Sequence, residues 1–326
     1  MAFLSSRTSL KQAVLTGALL GLLFMHAASA VDPSPSRLAL KSSAALVLDE
    51  ETGQVLYGKN TESVLPIASI TKLMTAMVVL DANLDPSEQL EVTIDDLDML
   101  KGTHSRLRVG TFLTREEMLR LALMASENRA ASALGRNYPG GLDAFVAAMN
   151  LKARLLGLQG TRYADPTGLS STNVSTAEDL GKLVRAAHRY DRIREFSTAS
   201  GYQVSIGGRP AAFHNTNRLV ASSGWDIGLS KTGFINEAGR CLVMQARLAG
   251  RGVVIVLLDS WGKYTRIADA ARIRKWLEVA DGTQAMRQHA PVARSATKTR
   301  KASARARAHA QAGTPVAASA RRANAS

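Results

Sequence analysis

The sequence predicts an α+β domain. Short apolar segments bounded by turn residues lie near both ends of the chain, the long stretch between them has helical spacing, and no internal repeat interrupts either pattern. Hydrophobic residues make up 46% of the chain, enough for a sizeable core, and the single cysteine, Cys241, excludes an internal disulfide framework. Its surroundings suit a small residue buried in a strand rather than a reactive thiol.

The elements follow in order. Residues 1–30 combine the cations Arg7 and Lys11, an apolar run over 13–25 and a small-x-small Ala28-Ser29-Ala30 site. This is the pattern of a secretory signal peptide cleaved after Ala30, so the mature chain is expected in the periplasm. The apolar run is short for a span, and no later run is long enough, so no stable transmembrane anchor is predicted. Residues 44–49 and 54–57 flank Glu50-Glu51-Thr52-Gly53 as a β-hairpin.

Residues 69–80 place Ile70, Leu73, Met74 and Met77 on one helical face. Thr114-Arg115-Glu116-Glu117 is a capping box that opens a helix over 114–124. Further amphipathic helices are predicted over 142–156 and 176–188, the latter capped by Ser175 or Thr176. Strands over 240–248 and 252–259 flank Ala249-Gly250-Arg251, and Val253 to Leu258 reads as a strand buried on both faces. A final helix over 264–279 offers Ile267, Ala271, Trp276 and Leu277 to the core.

Charge divides the chain unevenly. The net formal charge is +14, but two cations fall in residues 1–30 and nine, with no acid, in residues 286–326, leaving +3 for residues 31–285. The basic balance therefore belongs to an Ala/Arg-rich tail that cannot bury enough surface to order itself. The folded part needs no nucleic acid or other anionic polymer as partner. The tail could meet anionic polymers of the cell envelope.

Three polar clusters interrupt this framework. Ser69-Ile70-Thr71-Lys72 puts a hydroxyl and an amine three residues apart, on one face of a helix start. The apolar neighbours Ile70, Leu73 and Met74 favour the neutral amine, which can take the serine proton. Ser126-Glu127-Asn128 breaks an apolar helix at Met124-Ala125. There Ser126 can relay a proton, and Asn128 can hold both Lys72 and a substrate amide. Lys231-Thr232-Gly233 precedes the C-terminal strands. On a strand at a cleft edge, Lys231 and Thr232 could bind a carboxylate, while Gly233 lets a peptide backbone come close. One reaction, acyl transfer through a serine ester without a histidine, accounts for all three. His104, His188 and His214 have no metal-ligand spacing, and neither a metal nor a cofactor is expected.

With these motifs in place, the chain resembles the low-molecular-mass penicillin-binding proteins, serine D,D-peptidases of bacterial cell-wall maturation. Pro66-Ile67-Ala68, Asp165-Pro166-Thr167-Gly168-Leu169 and Asn215-Thr216-Asn217 add to the likeness. Residues 99–105 and 125–130 are most similar to the D-alanyl-D-alanine endopeptidase branch. The resemblance implies a β-lactamase/transpeptidase-like fold: a five-stranded antiparallel sheet flanked by helices, plus a helical lobe, with the catalytic cleft between them in residues 31–285.

It further implies that Ser69 forms the acyl-ester, Lys72 is its base, and Ser126 and Asn128 assist proton transfer and binding. Lys231, Thr232, Gly233, Phe234 and Arg266 are implied in substrate binding, with the backbone N–H groups of Ser69 and Phe234 as the oxyanion hole. The substrates implied are peptidoglycan stem peptides, with β-lactams as covalent inhibitors. The alternatives are a D-alanyl-D-alanine carboxypeptidase, a β-lactamase (for which the chain lacks a Glu-x-x-Leu-Asn segment) and a non-catalytic wall-binding protein. Carboxypeptidase relatives carry a second β-domain and an amphipathic C-terminal anchor, neither of which is legible here, which favours the endopeptidase.

Overall fold

A computed structural model describes residues 38–288. The leader at 1–30 and all but the first three residues of the tail at 286–326 lie outside the described residues. The chain runs β1 (Ser42–Asp49), β2 (Val55–Lys59), β3 (Leu65–Pro66), α1 (Lys72–Asp81), β4 (Gln89–Glu91), β5 (Phe112–Thr114), α2 (Arg115–Met124), α3 (Asn128–Arg136), α4 (Gly141–Leu155) and β6 (Val174–Ser175). It continues through α5 (Ala177–Ala187), α6 (Asp191–Thr198), β7 (Gly201–Ile206), β8 (Arg209–His214), β9 (Asp226–Ile235), β10 (Gly239–Leu248), β11 (Arg251–Ser260) and α7 (Thr265–Gln288).

Strands from the two ends of the domain form one antiparallel five-stranded sheet in the order β2-β1-β11-β10-β9. The unbroken apolar run of β11 follows from its burial on both faces. Val254, Val256 and Leu258 face the helical core, together with Ala44, Leu46 and Leu48 of β1. Val253, Ile255 and Leu257 face a second layer made with Ala270, Ile273 and Leu277 of α7. The buried carboxylate of Asp269 fixes α7 to the start of β1 by accepting hydrogen bonds from the backbone N–H groups of Lys41 and Ser42 and from Ser42 Oγ (2.7 Å).

Of the four residues of α7 predicted to face the core, Ile267, Trp276 and Leu277 do so and Ala271 does not. Ala271 is exposed and Ala270 and Ile273 take its place, with Ile267 and Trp276 only half-buried. The helix also runs on to Gln288, past the expected end at 279.

On the other face, α5 lies close enough to β1 that a Cβ at Gly181 would stand 2.8 Å from the Leu46 and Leu48 methyls. Helix α1 runs through the middle of the helical lobe, with Lys72 to Val79 all buried, so the one-sided face read for residues 69–80 becomes burial on every side. The capping box of α2 is present: Glu117 N donates to Thr114 Oγ1 (3.1 Å) and Thr114 N to Glu117 Oε2 (2.8 Å). Asp179 N donates to Thr176 Oγ1 (3.0 Å), which selects Thr176 over Ser175 as the cap of α5.

Candidate active site

Ser69 sits in a single 3-10 turn (Ala68–Thr71) that leads into α1, rather than in the first turn of the α-helix itself. A 3-10 turn eclipses residues three apart, so Ser69 and Lys72 still share a face. The turn is strained at its entrance, where Ala68 has φ +48°. Gly168 closes over it: a Cβ there would lie 2.0 Å from the Ala68 carbonyl oxygen, and its own φ is +80°.

The Lys72 amine is buried and has three oxygen partners: Ser69 Oγ at 2.9 Å, Asn128 Oδ1 at 2.7 Å and the Thr167 carbonyl at 2.6 Å. Burial lowers its pKa from the usual lysine value to about 7, against the pull of the carboxylates of Asp165, Glu127 and Asp98. The donor count is decisive. The Thr167 carbonyl and Asn128 Oδ1 can only accept, so they take both N–H hydrogens of a neutral amine. The lone pair is left facing Ser69 Oγ, where it can receive the hydroxyl proton.

Ser126 joins α2 to α3 at φ +59°, a backbone conformation that a non-glycine residue adopts at a cost. Its Oγ accepts from Lys231 Nζ at 2.8 Å. Lys231 lies on β9, the edge strand of the sheet, and donates also to the Thr232 carbonyl (3.0 Å). Burial, then the cations Lys72 and Arg266, hold its pKa well below the lysine norm. Gly233 brings β9 against the nucleophile: a Cβ there would stand 2.9 Å from Ile67 O and 3.2 Å from Ser69 N. Phe234 is exposed, with the Arg240 guanidinium 4.5 Å over its ring. Arg266 reaches up from α7, donating to the carbonyls of Gly233 (3.0 Å) and Cys241 (3.2 Å). Cys241 itself is buried, and burial raises its thiol to about 11, so it is unreactive.

On the helical wall hydrogen bonds join Ser69, Lys72 and Asn128. From the sheet wall Lys231 reaches Ser126 and Gly233 approaches Ser69, with Arg266 donating to Gly233, while Phe234 is exposed beside Arg240. Several functional neighbours were not singled out. Thr167 supplies a carbonyl to Lys72, Thr103 Oγ1 accepts from Asn128 Nδ2 (3.0 Å), and Thr216 Oγ1 accepts from Thr232 Oγ1 (2.7 Å). Asp165 shapes the Thr167 turn by accepting from the backbone N–H groups of Thr167, Gly168 and Ser170. An Asx-turn signal in Asp165-Pro166-Thr167-Gly168 was there to be read.

Comparison with known proteins bears on this geometry. The family model described as D-alanyl-D-alanine carboxypeptidase, Peptidase_S11, matches residues 29–261. The chain belongs to this family. It is a serine peptidase hydrolase of the penicillin-binding type, directed at D-alanyl-D-alanine peptides of peptidoglycan.

A D-alanyl-D-alanine endopeptidase of Pseudomonas aeruginosa is 49% identical over 270 residues, covering 80% of this chain and 87% of its own. Its counterpart in Escherichia coli is 46% identical, covering 77% and 82%. The solved structure of a DD-transpeptidase from Streptomyces superposes with a TM-score of 0.69 at 27% identity, covering 74% of this chain and 98% of its own, so the transpeptidase-like fold is shared. Among the described residues no helix is long and apolar enough to cross a membrane.

Proposed function

We propose that the chain is an exported endopeptidase that cuts D-alanyl cross-links in peptidoglycan. In this reading Ser69 Oγ attacks the carbonyl of a D-alanine residue while Lys72 takes its proton. The oxyanion rests on the backbone N–H groups of Ser69 and Phe234, which the close approach of Gly233 to Ser69 favours. Ser126 relays the proton from Lys72 to the departing amine, which belongs to the neighbouring stem peptide. Water then releases the peptidyl-serine. Asn128 and Thr232 bind the peptide, and Lys231 and Arg266 supply positive charge for a carboxylate. The observation that carries this reading is the Lys72 amine, whose two acceptor-only partners leave its lone pair for Ser69.

Endopeptidase is preferred to carboxypeptidase because the relatives at 49% and 46% identity bear that activity in their names. Export rests on the leader pattern at 1–30, and the cationic tail extends the same placement to anionic envelope polymers. Incubation with cross-linked dimeric muropeptides tests the function. Monomers are expected, whereas release of free D-alanine alone would replace the proposal by the carboxypeptidase. Mass spectrometry after penicillin treatment is expected to place the adduct on the peptide bearing Ser69.

A further inference from the structure

Beside the cleft lies a groove that the chemistry at Ser69 does not use. It runs between residues 105–112 and the β7–β8 hairpin and encloses about 940 Å³. Three arginines line it (Arg106, Arg108 and Arg209), and no acidic residue does. Arg106 is already committed: its guanidinium donates to the Ala212 carbonyl and stacks 3.7 Å above the Phe213 ring, tying the loop to the hairpin. Arg108 and Arg209 are exposed, and their guanidinium groups have no ion-pair or hydrogen-bond partner among the described residues. Val109 and Phe112, in the same lining, present apolar surface.

Both walls of the groove are anchored on the reaction centre. Ser105 Oγ donates to Glu127 Oε1 (2.6 Å), between Ser126 and Asn128. At the foot of β8, Thr216 N donates to the Met124 carbonyl (3.1 Å), and Thr216 Oγ1 meets Thr232. A substrate seated on Ser69 and running past Asn128 toward Ser105 would enter the groove at that end, beyond the reach of a small one.

We propose that this groove is a subsite for a carboxylate-bearing segment of the cross-linked peptide, remote from the scissile bond, with Arg108 and Arg209 as its counter-charges. The inference rests on the proposed action on peptidoglycan peptides. It makes the groove a determinant of specificity for large anionic substrates, separate from the machinery that acylates Ser69. Charge complementarity argues for an anion, and the apolar surface lining the groove with two exposed cations suits a peptide better than an inorganic ion.

The test uses the full chain and an Arg108→Gln/Arg209→Gln variant, two exposed substitutions that leave the core untouched. Benzylpenicillin, whose carboxylate sits on the thiazolidine ring one carbon from the lactam nitrogen, is expected to acylate both proteins at rates within about twofold of each other. Protection against that acylation by a dimeric muropeptide measures binding whether or not the dimer is cut. Its inhibition constant is expected to rise about five- to tenfold in the variant, and the difference to shrink at high salt. A carboxyl-amidated dimer is expected to bind both proteins alike. Equal protection of both proteins by the carboxylate form would overturn the proposal, as would an equal loss for the amidated form. A wild-type protein that is protected but does not cut the dimer would overturn the endopeptidase reading and leave the groove to be decided by the same constants.

Discussion

The two walls of the cleft each hold a buried lysine, and they hold it differently. On the helical wall, Lys72 is desolvated, yet Asp165, Glu127 and Asp98 pull its pKa upward until it rests at about 7. On the sheet wall, Lys231 is equally buried, but its charged neighbours are the cations Lys72 and Arg266, which push in the same direction as burial. An amine balanced near neutral pH can take and return a proton. An amine among cations, with no anionic partner, is set to receive one from a ligand. The backbone divides the same way: left-handed strain sits beside the reacting groups at Ala68 and Ser126, whereas Lys231 to Phe234 lie in regular strand. In the proposed reaction, proton transfer and substrate capture therefore rest on different kinds of scaffold.

The sharpest way to break this division is to exchange the lysines' roles by mutation. Lys72→Met is expected to slow acylation by penicillin about a thousandfold, the scale of a lost general base. Lys72→Arg is expected to do the same, because a guanidinium cannot become neutral. Lys231→Met is expected to weaken the binding of carboxylate substrates more than it slows the acylation step. Time courses of acylation at several penicillin concentrations separate the two effects, and near-normal acylation by Lys72→Met would reverse the assignment.

The next effect is geometric. A methyl group at Gly168 would overlap the Ala68 carbonyl at 2.0 Å, whereas at Gly233 it would meet Ile67 O and Ser69 N at 2.9 and 3.2 Å. Both substitutions displace the nucleophile, from opposite walls. Gly168→Ala is expected to cost about a hundredfold in acylation, the usual consequence of a shift near 1 Å, and to lower Tm visibly. Gly233→Ala is expected to cost less on both measures.

The pH dependence comes third. Acylation is expected to rise with pH through about 7, as Lys72 loses its proton. Because Glu127 raises that pKa, Glu127→Gln is expected to move the midpoint to lower pH. Stability follows by linkage. The folded pKa lies below the unfolded one, so between about 7 and 10.5 the unfolded chain binds more protons, and stability rises with pH across that window. Lys72→Met is expected to reduce this rise in urea titrations at pH 7 and pH 9, leaving the part that Lys231, lowered in the same direction, contributes.

How much of this could be read in the sequence differs between the walls. The inner strands of the sheet wall were legible because burial on both faces leaves an apolar run such as Val253 to Leu258, whereas β9, with Lys231 to Phe234, was read as a strand only conditionally. The three motifs were legible because a polar cluster inside an apolar segment has no packing reason to exist. The β7–β8 hairpin was missed although Gly207-Gly208 is a two-residue turn signal and Tyr202, Val204 and Ile206 alternate with polar residues along β7, because both strands are short and lie within a stretch otherwise read as helical. Thr167 escaped because it contributes a main-chain carbonyl, which no side chain advertises. The exposed Ala271 shows the limit of periodicity where apolar and polar residues alternate irregularly along α7.

The smallest expected effect concerns what joins the walls. Lys101 Nζ lies 2.5 Å from Glu237 Oε1, linking the loop after Asp98 to the β9–β10 turn, with both side chains partly exposed. Asp98 organises that loop by accepting from the backbone N–H groups of Leu100, Lys101 and Thr103, and Thr103 in turn holds Asn128. An exposed pair is screened by water and salt, so Lys101→Ala is expected to leave Tm nearly unchanged and to lower acylation less than about threefold. A loss of about tenfold or more, worth some 1.4 kcal/mol of barrier, would mean that the tie positions Asn128 and through it Lys72. The walls would then act as one unit, and the separation between proton transfer on one side and substrate capture on the other would fail.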